Sequence, residues 1–80
     1  MDMREAIVNR LYELMKERGL NPNALADISG VPKTTVKNIL KGVSKNPGAV
    51  TLKKLFDGLQ VSVPDFYNTE VFRNLEQEIK

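Results

Sequence analysis

The stretch Leu25-Ala26-Asp27-Ile28-Ser29-Gly30-Val31-Pro32-Lys33-Thr34-Thr35-Val36-Lys37-Asn38-Ile39-Leu40-Lys41-Gly42 decides how this chain folds. Its apolar residues do not alternate. They recur at helical spacing, first through Ala24, Leu25, Ala26 and Ile28, then through Val36, Ile39 and Leu40. Between the two runs stands Ser29-Gly30-Val31, where Gly30 supplies a permissive backbone for a tight turn and Val31 an apolar plug between helices. Small side chains at Ala24 and Ala26 let another helix approach closely. In the second run Lys33, Thr34, Lys37, Asn38 and Lys41 fall at i, i+1, i+4, i+5 and i+8, which gathers them on the side opposite the apolar residues. The expectation is a short helix, a turn, and a helix from Thr34 to Lys41 with one wet, basic face. Gly42 ends it, and Val43 is expected to pack back on its last turn.

Helical periodicity continues on both sides. Upstream, Ile7, Leu11, Leu14 and Arg18 mark one face of a first helix, widened by Val8 and Met15, with Arg4, Glu13, Lys16 and Glu17 assigned to the other face. Gly19 closes it, because glycine takes the left-handed position after a helix at no steric cost. Asn21-Pro22 restarts the chain: asparagine caps, and proline suits the first helical position, where its missing N–H would have had no partner. Downstream, residues 44–48 are loop by composition. Leu52, Leu55, Phe56 and Leu59 then form the stripe of a fourth helix, in which Gly58 costs roughly 1 kcal/mol against alanine. Ser62 with Asp65 reads as a capping box for a short fifth helix holding Phe66 and Tyr67. After a cap at Thr69, a last amphipathic segment runs from Glu70 to Ile79, with Phe72, Leu75 and Ile79 on one side. Strands are not needed, and the fold class is all-α.

Composition narrows the chemistry. Eighty residues at 41% hydrophobic suffice for one small core and leave little surplus for a deep cleft. The chain has no cysteine and no histidine, which removes disulfides, thiolate nucleophiles, imidazole bases and the usual zinc or haem ligands. Ser29, Ser44 and Ser62 have no imidazole to activate them, and Asp27, Asp57, Asp65 and Glu70 are spread along separate helices. No catalysis, metal or cofactor is expected. No apolar run approaches the ~18 residues of a membrane span, and charges at Asp2, Arg4, Glu5 and Arg10 do not fit a signal peptide, so a cytoplasmic protein off the membrane is expected.

Charge is segregated. Residues 28–56 hold Lys33, Lys37, Lys41, Lys45, Lys53 and Lys54 and no carboxylate, while the rest of the chain carries six basic and ten acidic residues, so +6 and −4 give the net +2. A positive middle between negative flanks attracts polyanions, of which nucleic acid is the commonest.

Two helices joined by a glycine turn make a helix–turn–helix. Residues 19 to 66 resemble the phage-repressor/Cro-type (XRE family) regulators of bacteria. Leu25-Ala26-Asp27-Ile28-Ser29-Gly30-Val31, then Thr34-Thr35-Val36-Lys37-Asn38-Ile39 and Lys41-Gly42, resemble that family's core, and Asn46-Pro47, Leu52, Leu55, Leu59 and Val61 its trailing helix. The resemblance implies a five-helix lambda-repressor-like DNA-binding domain over residues 1–66, followed by an additional short C-terminal helical segment, residues 67–80, packing on the domain or on a dimer partner. It implies a transcriptional regulator, a repressor by family precedent, whose third helix enters the major groove of double-stranded DNA.

Within that reading, Lys33, Thr34, Lys37 and Asn38 read bases. Asparagine bonds bidentately to adenine, lysine donates to guanine, and the threonine methyl meets thymine. Asn21, Asn23, Lys41 and Lys45 take phosphates. Phe66, Tyr67, Phe72, Leu75 and Ile79 form the expected homodimer interface. The rival reading is a protein-interaction module of the same fold, with a protein antagonist or toxin docked on that last segment. Two departures from the family pattern stand out. Pro32 replaces the usual serine or threonine cap of the third helix, which shifts the helix start and costs about 1 kcal/mol of capping. Pro22 stands where a glutamine commonly contacts a phosphate.

Overall fold

Asp2 opens the first helix by accepting the Glu5 N–H at 2.9 Å, and Gly19, at φ 64°, closes it after sixteen residues. The computed structural model of the protein describes residues 1–44 and 46–75. They form α1 (Met3–Arg18), α2 (Pro22–Ser29), α3 (Lys33–Leu40), α4 (Ala49–Gly58), α5 (Val63–Tyr67) and α6 (Glu70–Arg73), with no strand among the described residues. The start signals act as the sequence suggests. The Asn21 side chain accepts from Ala24 N–H at 2.7 Å with Pro22 in the first turn, and the Ser62 hydroxyl accepts from Asp65 N–H at 3.2 Å. Gly30, at φ 71°, ends α2 in the left-handed region and turns the chain into α3.

One core fills the bundle. Ala6, Ile7, Leu11, Leu14 and Met15 of α1 face Leu25 and Ala26 of α2, Val36, Ile39 and Leu40 of α3, and Leu52, Leu55 and Phe56 of α4. Val31 is buried between α2 and α3 as the plug of their turn. Burial of this kind contributes about 25 cal/mol per Å² of apolar surface, and it offsets the poor intrinsic stability of helices only eight to ten residues long.

Short helices have many ends, and α1 supplies donors for them. Arg4 Nη1 donates to Gly42 O, just past α3, at 2.6 Å. Arg18 Nε donates to Leu59 O, at the end of α4, at 2.6 Å. Arg10 donates to Phe66 O at 2.9 Å and to Asp65 O at 3.1 Å, within α5. The assignment of Arg4 to the outer face of α1 is thereby corrected: positions 4, 7, 11, 14 and 18 lie on one stripe, and Arg4 heads the apolar face that Arg18 closes.

Ser29 and Gly58 bring α2 and α4 into close approach. A Cβ built at Gly58 would lie 2.9 Å from Ser29 Cβ, 3.1 Å from its Cα and 3.2 Å from its N. Gly58 is therefore where α4 meets the backbone of α2, and its helix-propensity penalty is the cost of that contact. Three further expectations are revised. Val43 is 66% exposed and its side chain does not pack back: the Val43 and Ser44 N–H groups both donate to Asn38 O and close the backbone over the last turn of α3, while the side chain is left in solvent. Ile28, counted with the filling of α2, is 51% exposed, since Leu25, Ala26 and Ser29 take the inward side. The last segment is helical only over Glu70–Arg73, and its end from residue 76 lies outside the described residues.

Replacing Gly58 by alanine should lower stability despite the gain in helix propensity. A Cβ forced against the α2 backbone costs about 1–3 kcal/mol, against about 1 kcal/mol gained. Thermal unfolding should give a melting temperature several degrees below wild type. A rise would mean that the α2–α4 contact is looser than described.

Candidate nucleic-acid interface

Helix α3 is fixed from below by Val36, Ile39 and Leu40, all buried, and this sets the direction of everything above them. Lys33, Thr34, Lys37, Asn38 and Lys41 are exposed, so the fold leaves the whole expected set on one wet side. The helix begins at Lys33, one residue earlier than the periodicity suggests. Pro32 occupies the cap position at φ −55° and ψ 140° and makes no side-chain cap bond. Its fixed φ leads directly into the helix in place of the missing cap.

The electrostatics of this face differ from those of its surroundings. Among the described residues the ion pairs are Arg10–Glu13 and Lys53–Asp57. Lys53, in the basic middle of the sequence, is thus neutralised one turn away. Lys33, Lys37 and Lys41 have no such partner among the described residues. Exposed pairs contribute little to stability, but they decide which charges remain available to an incoming anion.

The expected phosphate contacts divide. Lys41 is exposed at the end of α3, and Asn23 is exposed on the first turn of α2. Asn21 spends its side-chain oxygen on the α2 cap, which leaves its amide NH2 as the group open to a ligand. Lys45 lies outside the described residues.

The residues expected at a dimer interface are largely internal. Phe66 is 0% exposed and stacks on Phe56 with ring centroids 4.0 Å apart, so it is a core residue and is removed from that interface. Tyr67 and Phe72 are partly buried against the core and meet edge to face at 4.9 Å. Leu75 is partly buried, and Ile79 lies outside the described residues. The aromatic cluster thus ties residues 66–72 to the domain in cis.

Residues 11–66 match the helix-turn-helix family. The chain belongs to the XRE-type helix-turn-helix family. It is 38% identical over 61 residues to the HTH-type transcriptional regulator SlrR of Bacillus subtilis (strain 168), covering 76% of this chain and 39% of that protein. The chain therefore spans well under half the length of that relative. A crystal structure of the prophage Lp1 protein 11 matches with a TM-score of 0.79 at 29% identity, over 94% of this chain and 100% of the other. The all-α fold of the described residues is thus similar to that of a prophage protein.

The arginines of α1 are what sequence reading missed. One signal was present: Arg18 falls on an apolar stripe, where a long side chain with a charged tip reaches over a neighbouring helix end. Among the described residues no helix is long and apolar enough to cross a membrane, and no three His, Cys, Asp or Glu residues cluster so as to hold a metal ion.

The aromatic cluster can be checked through Tyr67, whose hydroxyl is pushed by burial above the ordinary tyrosine value of about 10. The folded protein then holds this proton more tightly than the unfolded chain. Its contribution to stability is complete below the unfolded value and is lost as pH rises through the higher folded one. In a Tyr12→Phe variant, phenolate absorbance should titrate at higher pH in native buffer than in urea. Equal midpoints would place Tyr67 in solvent.

Proposed function

We propose that this chain is a sequence-specific DNA-binding transcriptional regulator, acting as a repressor, that reads the major groove of double-stranded DNA with α3. The observation that carries the reading is the exposed, unneutralised face of α3, held over Val36, Ile39 and Leu40. Membership of the helix-turn-helix family and similarity to a transcriptional regulator support it. Lys33, Thr34, Lys37 and Asn38 meet base edges, with Asn38 against adenine. Lys41, Asn23 and the free amide of Asn21 meet phosphates, and Lys45 is assigned to the same backbone. The protein works in the cytoplasm, where operator DNA is found.

Two copies reading successive turns of a duplex sit about 34 Å apart. The Cα envelope measures 36 × 23 × 19 Å, a size compatible with two copies on neighbouring half-sites. The reading includes a homodimer on a near-palindromic site, to which Tyr67, Phe72 and Leu75 offer the edges left uncovered by the domain's own core. Sedimentation at high micromolar concentration without DNA should show dimer. Monomer alone would remove the pre-formed dimer.

Selection of bound sequences from a random duplex pool tests the reading as a whole, since recovery of a preferred half-site supports it and recovery of none rejects it. On the selected site, Asn38→Ala should cost ~1–3 kcal/mol and relax preference at one base pair. Lys41→Ala should weaken binding to all sequences alike and flatten the slope of log K against log salt by roughly one. Identical behaviour of the two variants on random and selected duplexes would overturn the division into base and phosphate contacts.

A further inference from the structure

Where the first turn of α1 meets the end of α3, a groove of about 280 Å³ opens to solvent, lined by Arg4, Glu5, Val8, Asn9, Leu40, Lys41 and Gly42. Two of its residues are cationic and come from distant parts of the sequence: Lys41 from the lysine-rich middle, and Arg4 from the acidic N-terminal flank. Arg4 is half-buried, and one end of its guanidinium is held by the Gly42 carbonyl. Among the described residues its Nε and Nη2 have no protein partner, and no buried side-chain nitrogen is left unsatisfied, so these donors reach solvent on a residue that lines the groove.

Arg4 differs in this from the other arginines of α1. Arg10 is held by carbonyls but shares an ion pair with Glu13. Arg18 sits at the opposite end of α1, at the end of α4. Arg4 is tied by a neutral oxygen, which orders the side chain without cancelling its charge. Glu5 lines the same groove, but its carboxylate makes no ion pair with Arg4 among the described residues.

From this we infer that the Arg4–Lys41 groove is a second phosphate-binding element, and that the DNA backbone leaving the end of α3 runs across the first turn of α1. A guanidinium with one edge anchored and the other free presents a fixed pair of donors, which suits a phosphate oxygen pair better than a mobile ammonium does. The side-chain freedom that a contact normally loses on binding has already been given up to the Gly42 tie. Asn9 adds an amide on the same wall. The inference rests on the DNA reading of α3 and extends the interface to a helix outside the helix–turn–helix.

The test uses the full chain, a random-sequence duplex and the best selected duplex, with affinity followed by fluorescence anisotropy across a salt series. Arg4→Gln should flatten the slope of log K against log salt by about 0.9, the value for one phosphate, and weaken both duplexes by the same factor. Glu5→Lys leaves the Arg4–Gly42 tie in place and should steepen the slope by a similar amount, so the inference stays testable if Arg4→Gln folds poorly. Unchanged slopes in both variants, while wild type binds with a steep slope, would overturn the groove and leave the α3 reading standing. Slope-independent weakening by Arg4→Gln, with a lowered melting temperature and no effect of Glu5→Lys, would make Arg4 purely structural. Absence of salt-dependent binding by wild type would overturn the groove together with the reading beneath it.

Discussion

A small bundle of short helices is limited by its helix ends. Each helix leaves up to four carbonyls without intrahelical partners, and here α3, α4 and α5 bring such ends against α1. Arg4, Arg18 and Arg10 reach from that single sixteen-residue helix to the three ends. Long side chains suit the task because their stems lie along the apolar stripe while the guanidinium reaches beyond it. A carbonyl buried without a donor costs about 1–3 kcal/mol. Three such losses, about 3–9 kcal/mol together, are comparable to the whole of what a small domain has in reserve, about 5–15 kcal/mol. The apolar core decides that the helices pack, and the arginines decide how their ends are placed.

The same division of labour sorts the charges. Arginine, with a planar fork of donors, is used for backbone oxygens, and lysine is left on the face of α3. Lys53 is compensated by Asp57 and Arg10 by Glu13. Lys33, Lys37 and Lys41 are exposed beside Asn38 without such compensation among the described residues. A net charge of +2 therefore understates the field that an approaching polyanion meets.

Much of this was legible in the sequence because it is local. The caps at Asn21 and Ser62, the left-handed stops at Gly19 and Gly30, the buried stripe of α4 and the outward set on α3 all follow from spacing within one or two turns. What was not legible depends on distant partners. Arg4 looked like a surface residue because its acceptor lies thirty-eight positions away. Gly58 looked like a weak point in α4 because Ser29, which requires it, belongs to another helix. Phe66 looked available to a second copy because the ring it stacks on, Phe56, sits across a turn.

The meeting of Ser29 with Gly58 also bears on how the molecule can move. With only the short Ser29 side chain at the contact, α2 has little soft layer against which to slide on α4, and the tight Gly30 turn joins it directly to α3. Adaptation to a curved or irregular partner then falls to side-chain rotation on nanosecond timescales and not to hinge motion. Loss of freedom on association would concentrate in a few lysine stems, so a bound complex should differ from the free protein in rotamers far more than in the path of the main chain.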